Sequence, residues 1–355
     1  MEAHAEIGLG SELPPGLREV IDLGLKAGAS DWHLRAEEPC FLRVRGEIVN
    51  LDAASVTEGA LRTVAEFAQA GGKKDASFAY GGDYYRLHTY SAGGAICVSL
   101  RHIPGKIPHL TSLNPPPVFA QSALASSRGL ILVTGPTGSG KSTTLAAAID
   151  HRNAQNAEVI VTLEDPIEFR HRNKRGLVRQ QEYGRDFGNF PEAVRDVVRA
   201  DPDVILVGEM RDSETMSAAL TAAETGHLVL ATLHCATAKD AISRIADAYP
   251  QERAAEIRAR LAKSLVAVLW QQLVPARTGE LVAVFELLIA TPAVRNLIAD
   301  PANRYDLIPN EIATGGSHGM ISFDQSLQDL VRRKIVHPAE ASKAAVNPAP
   351  FKARP

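Results

Sequence analysis

The sequence predicts an α/β chain in two parts: a mostly parallel sheet carrying a phosphate-binding loop, preceded by a smaller α+β domain. Three observations predict it. The stretch Gly129–Leu145, GLILVTGPTGSGKSTTL, fills every fixed position of G-x-x-x-x-G-K-[ST], with an apolar strand before it and a helix former after it. Further along the chain, continuous apolar runs alternate with helical segments, as strands covered on both faces require. In the first hundred or so residues, short stretches alternate apolar with polar between glycine pairs, the pattern of antiparallel strands with one covered face.

Composition bounds the rest. A chain of 355 residues that is 45% apolar has room for two domains with sizeable cores. Lys+Arg 38 against Asp+Glu 41 gives a net charge of −3, and aromatics make up 5%. A nucleic-acid translocase needs a basic stripe interleaved with aromatics, so no nucleic-acid partner is expected. Cys40, Cys97 and Cys235 stand far apart with no C-x-x-C pair, which argues against a zinc ribbon or disulfide framework and suits a reducing cytosol. The best apolar run, Leu281–Ala290, is too short for a bilayer and is interrupted by Glu286. No basic, apolar signal segment follows Met1. A soluble, cytoplasmic chain is expected, with docking on a membrane complex left open.

Taken in order, residues Met1–Pro15 are mixed and expected to fray. Leu17–Ala27 reads as a helix, with Leu17, Val20, Ile21 and Leu25 at helical spacing and Gly28 as its stop. Asp31–Leu34 and Cys40–Val49 alternate as strands. Glu58–Ala70 is a second helix closed by Gly71-Gly72, and Ser77–Tyr80, Tyr84–Tyr90 and Ala95–Arg101 are short strands. Residues 1–102 thus form one small domain. Residues 103–117 hold five prolines and read as an extended linker. In the second domain, 118–340, the core strands are Leu130–Val133, Val159–Leu163, Val204–Val207, Leu228–Leu233 and Leu281–Leu287. Helices follow at Ala254–Leu273, Pro292–Ala299 and Phe323–Arg333, and residues 341–355 read as a disordered tail.

The chemistry gathers where such strands end. In the loop Gly135, Pro136, Thr137, Gly138, Ser139 and Gly140, glycines let successive N–H groups turn inward onto phosphate oxygens. The helix that begins with Lys141, Ser142 and Thr143 adds its positive end. The Lys141 ammonium suits the β/γ-phosphates of ATP, and the Ser142 hydroxyl suits Mg²⁺. Asp203–Asp212, DVILVGEMRD, ends an apolar strand in Glu209, an acid placed to hold Mg²⁺ or position the attacking water; a helix-capping acid is the plainer alternative. Val161–Phe169, VTLEDPIEF, sets Glu164 and Asp165 at another strand end, either as carboxylates facing a magnesium ion or as turn chemistry before Pro166. Gly226–Cys235, GHLVLATLHC, brackets a strand with His227 and His234, either of which could be packing or a γ-phosphate contact. Arg86 and Arg101, on neighbouring strands of the small domain, are either phosphate forks or solvated strand charges.

In this order, GPTGSGKSTT, TLEDPIEF, DPDVILVGEMRD and TAAETGHLVLATLH resemble the ATPases of type II and type IV secretion systems, nearest to the branch that retracts pili. The resemblance extends to ASDWHLRAEEP, TPAVRNLI and TGGSHGMISFDQSLQDLV and covers roughly residues 17–340. It implies a PAS-like domain before a RecA-like P-loop ATPase domain, with ATP between them, in a homohexameric ring. Such a ring turns hydrolysis into movement against an inner-membrane platform protein and so associates peripherally with the membrane. On that resemblance the Asp box falls on Glu164 and Asp165 and the Walker B acid on Glu209. The His box falls on His227 and His234, and the small-domain arginines on Arg86 and Arg101. One departure is Ala293–Asp300, AVRNLIAD, where the retraction-linked stretch ends in arginine and glutamate. The resemblance also admits a plasmid-transfer or type IVB secretion ATPase. The extension-type relatives carry a tetracysteine zinc module that is missing here.

Overall fold

A computed structural model describes residues 13–44, 46–70, 75–103 and 105–351. Of the start expected to fray, Met1–Pro15, residues 1–12 lie outside them, as do the helix-closing Gly71-Gly72, Pro104 of the linker and residues 352–355, whereas Leu13 is described and buried. Two compact units divide the chain, Met1–Lys106 and Ile107–Pro355.

The smaller unit runs α1 (Pro15–Lys26), β1 (Ala29–Arg35), β2 (Pro39–Val44), β3 (Glu47–Ser55), α2 (Glu58–Ala70), β4 (Asp75–Tyr80), β5 (Asp83–Ala92) and β6 (Ala95–Ile103). Its six strands form one antiparallel sheet in the order β3-β2-β1-β6-β5-β4. The apolar positions of both helices and one face of the sheet close a core around Trp32 and Tyr85, both wholly buried. Trp32 Nε1 donates to the Val20 carbonyl at 3.0 Å, which ties β1 to α1. The single strand expected over Cys40–Val49 is a hairpin, because Gly46 takes φ +89 and turns the chain between β2 and β3. The apolar/polar alternation runs on through the turn and hides it.

The larger unit contains β7 (Gly129–Thr134), α3 (Lys141–Gln155), β8 (Val159–Glu164), β9 (Leu177–Glu182), α4 (Phe190–Val197), β10 (Val204–Val207), α5 (Ser213–Glu224) and β11 (Leu228–Leu233). Next come α6 (Ala238–Asp247), α7 (Gln251–Ser264), β12 (Leu265–Pro275), β13 (Leu281–Ile289), α8 (Pro292–Ala299), α9 (Ile308–Thr314), α10 (Phe323–Arg332) and α11 (Pro338–Ala344). The sheet order is β13-β12-β7-β11-β10-β8-β9, parallel except for β13. Separate apolar cores cover its two faces, so the strands read as continuous hydrophobic runs.

Four expectations need correcting here. The helix expected over Ala254–Leu273 stops at Ser264, and Leu265–Pro275 is a central strand between β7 and β13. LVAVLW is too short a run for periodicity to tell a buried strand from a buried helix, and no glycine or proline separates it from α7. The strand at Leu281 is antiparallel rather than parallel, because it returns directly from β12 through a short turn. The linker is not free beyond residue 106: Leu110 is buried in the core on the α3 side, with Ile107 and Leu113 packed against it. Nor is the tail disordered from residue 341, since α11 runs on to Ala344 and Phe351 is buried in the other core.

Candidate nucleotide site

The register of the parallel strands brings the motif residues to one end of the sheet. Leu233 of β11 pairs with Thr134 of β7, so His234 stands level with Gly135. On the other side, Val207 pairs with both Ala231 and Leu163, which sets Gly208-Glu209 and Glu164 at the same height. The Gly208 N–H donates to Leu163 O at 2.7 Å and the Met210 N–H to Thr232 O at 3.1 Å. Glu209 is therefore fixed by its backbone between β8 and β11.

The loop from Gly135 to Gly140 leads directly into α3. Gly135 has φ +148 and Gly140 φ +86, and at both positions a Cβ would also crowd β12. Gly140 is the N-cap of α3, and no side chain caps that terminus. The first-turn N–H groups of Ser142 and Thr143 thus keep the donors and positive end that suit an anion. Pro136, Thr137 and Gly138 are exposed at the rim, while Ser139 is buried. Lys141, 8% exposed, lies under the loop and donates to the carbonyls of Gly135 and Pro136, both at 2.9 Å. Burial lowers its pKa and Glu209 works against that.

A chain of polar contacts crosses the site. Lys141 Nζ lies 3.4 Å from His234 Nδ1, and His234 Nε2 lies 3.4 Å from Glu209 Oε1. A lysine can only donate, so Nδ1 is the acceptor and Nε2 carries the hydrogen facing Glu209. The other Glu209 oxygen accepts from Arg211 Nε at 2.8 Å. Burial lowers the His234 pKa and the Lys141 charge lowers it further, against Glu209. The sign follows: with a folded pKa below the unfolded value, the unfolded chain takes up the proton first as pH falls. The stability contribution is full above the unfolded value and is lost as pH drops through the folded one. An NMR titration of the His234 ring is expected to give a midpoint below about 6.5. A midpoint above it would mean that attraction to Glu209 outweighs burial and Lys141.

Other expected site residues are not brought together in the way foreseen. Glu164 and Asp165 part company, as consecutive residues at a strand end do. The Glu164 carboxylate accepts from Thr162 Oγ1 at 2.6 Å and Gln180 Nε2 at 3.0 Å, and burial raises its pKa. Asp165 faces Arg211 at 3.9 Å instead. The two carboxylates therefore take different partners, and Asp165 shares Arg211 with Glu209. His227 stands at the opposite end of β11 from His234, roughly 20 Å away along the strand, with Nδ1 against Ala222 O at 3.0 Å. Strand direction removes it from the phosphate loop of its own chain. In the smaller unit, Arg86 and Arg101 are directly opposite on β5 and β6, and Arg101 Nε donates to Asp31 Oδ1 at 2.7 Å.

Arg211 and Gln271 escaped the motif reading. Arg211 stands inside the quoted GEMRD, two residues past Glu209, and that spacing was its signal. Gln271 shows only as a polar residue that ends an apolar run, which means nothing until β12 is known to be a strand.

The donor set fits a nucleoside triphosphate: a phosphate-sized cradle of N–H groups, an uncapped helix start and a buried ammonium. Among the described residues no group of three or more His, Cys, Asp and Glu could hold a metal by itself. Mg²⁺ needs no such group, since it keeps its waters and binds one or two protein groups beside substrate phosphates. Ser142, next to Lys141 at the helix start, supplies such a hydroxyl. Beside Glu209, a cavity of about 530 Å³ opens between Asp165, Tyr183, Phe190, Arg211 and Glu214.

Known proteins resemble this chain over most of its length. The family model of the type II/IV secretion system protein matches residues 105–303. The type IV pilus retraction ATPase PilT of Pseudomonas aeruginosa is 40% identical over 349 residues, 94% of this chain and 99% of that protein. A twitching motility protein of Neisseria gonorrhoeae is 46% identical over 264 residues, 74% of this chain and 70% of that protein. A crystal structure of the pilus retraction motor PilT with bound ADP superposes with a TM-score of 0.83 at 37% identity, covering 94% of this chain and 97% of that one.

Proposed function

The chain belongs to the type II/IV secretion system protein family, and from that premise we propose that it is an ATPase motor that powers type IV pilus retraction and twitching motility. The observation that carries this reading is the extent of the likeness. A pilus retraction ATPase is matched over 99% of its length, small unit included, and not over the phosphate loop alone.

The mechanism follows from the residues around that loop. The loop N–H groups and Lys141 bind and orient the phosphates of ATP, which is most of what phosphoryl transfer demands of a protein. Magnesium, when held by the Ser142 hydroxyl and the phosphates, supplies charge neutralisation. Glu209 orients the attacking water and accepts its proton. To do so its carboxylate leaves Arg211, an exposed pair whose rupture costs little. His234, which accepts from Lys141 and lies 3.4 Å from Glu209, links the residue that holds phosphate to the residue that handles water. Arg86 and Arg101 serve as the small unit's phosphate forks. The motor works as a homohexamer on the cytoplasmic face of the inner membrane and pushes against a platform protein there. Among the described residues no helix is long and apolar enough to cross a membrane.

The test is deletion in the native host, scored separately for surface pili, twitching, conjugation and secretion. Loss of twitching with surface pili retained or increased is expected. Unimpaired twitching together with lost conjugation or secretion would overturn the reading.

A further inference from the structure

Strand β12 passes between the two segments that border the phosphate site, and consecutive residues midway along it hold one each. Trp270 Nε1 donates to the Cys235 carbonyl at 2.9 Å, one residue beyond His234. Gln271 Nε2 donates to the Ser139 carbonyl at 2.7 Å, inside the phosphate loop. Neighbours on a strand point to opposite faces, and Trp270 accordingly packs into the core on the α6 side. Both bonds are shielded, with Gln271 1% and Trp270 7% exposed.

Register explains the reach. Trp270 pairs with Thr134 across the parallel ladder, which sets Gln271 level with Gly135. A methyl group at Gly135 would run into the Gln271 carbonyl, and one at Gly140 would stand 3.3 Å from Gln271 Nε2. The loop therefore rests on Gln271 at both ends. The amide is not there for the comfort of the strand, since Gln271 Oε1 and the neighbouring Ser139 Oγ are buried without partners. Such orphaned atoms cost free energy that an apolar residue of equal length would avoid.

We propose that Trp270 and Gln271 are a pair of positioning residues that preset the nucleotide site from below. Gln271 fixes the height of the phosphate loop, and with it Lys141. Trp270 fixes the turn that carries His234. Together they set the 3.4 Å approach of Lys141 Nζ to His234 Nδ1. The inference rests on the reading of the loop as a nucleotide site and adds which residues shape it before nucleotide arrives.

Two substitutions delete the N–H groups and keep the packing. Gln271→Met matches the length, and Trp270→Phe keeps a ring against Phe323, whose centroid lies 4.9 Å from that of the indole. Purified full-length variants are compared for thermal unfolding, for magnesium-ADP affinity with a fluorescent ADP analogue, and for kcat and KM with ATP. Gln271→Met is expected to weaken ADP binding and raise KM about tenfold, with kcat changed less than about threefold. Trp270→Phe is expected to do the reverse: binding within about threefold and kcat down about tenfold. Unchanged kinetics in both variants overturns the proposal, and so does a parallel loss of binding and turnover that tracks the unfolding midpoint. Should Gln271→Met fold poorly, Gln271→Leu also lacks the donor, adds no charge and is read the same way. Lys141→Ala in the same titration separates the premises. Retained ADP binding there rejects the nucleotide reading, whereas lost binding there beside a normal Gln271→Met rejects the strut alone.

Discussion

Lys141→Ala is expected to give a folded protein that no longer retains ATP and shows no measurable turnover. The ammonium is 8% exposed and holds the loop carbonyls of Gly135 and Pro136. With phosphate present, the same group is the one cation the loop's helix start delivers. A hydrogen bond to a charged group contributes about 1.5–3 kcal/mol. Losing two such bonds to phosphate oxygens removes about 3–6 kcal/mol, a hundredfold or more at about 1.4 kcal/mol per decade. Stability should change little, because alanine removes the buried charge together with its contacts, leaves an apolar methyl on α3 and favours the helix. Equilibrium binding of a fluorescent ATP analogue, with thermal unfolding as the control, checks it. ATP affinity within threefold of the unaltered protein would remove Lys141 from the site and with it the phosphate-loop reading.

What could be read in advance was what depends on a few consecutive residues. The phosphate loop, the acids at the ends of β8 and β10 and the histidines around β11 are local patterns, and their strands are apolar enough to announce themselves. The register then does the rest, since a parallel sheet sets every strand's carboxyl end on one side. Features that depend on long-range pairing stayed hidden. β12 merges in the sequence with α7 because nothing but its neighbours β7 and β13 tells a buried apolar run to extend instead of coil. Losing β12 meant losing Trp270 and Gln271, whose partners Cys235 and Ser139 lie 35 and 132 residues away in sequence. His227 was grouped with His234 by spacing, although a strand carries its two ends to opposite sides of a sheet. The same blindness to direction paired Glu164 with Asp165, where alternation aims one carboxylate at Thr162 and Gln180 and the other at Arg211.

Glu209→Gln should separate binding from chemistry. The carboxylate accepts from Arg211 at 2.8 Å and faces His234 Nε2 at 3.4 Å, and an amide of the same shape fills the same space. What the amide lacks is the negative charge and the ability to take a proton. Loss of a general base lowers turnover by about 10²–10⁴. Binding should hold or tighten, because the substitution removes a like charge from beside the phosphates and leaves Lys141 untouched. The fold should hold as well, since the pair with Arg211 is exposed on the arginine side and such pairs contribute about 0–1 kcal/mol. A phosphate-release assay beside a binding titration on the same preparation reads both quantities. Near-normal turnover would dismiss Glu209 as the base and leave it a backbone-fixed acid that merely pairs with Arg211. A fall in turnover matched by an equal fall in affinity would instead give it a part in holding nucleotide. Only the split outcome, tight binding with stalled hydrolysis, agrees with an acid separated by the His234 ring from the ammonium that holds phosphate.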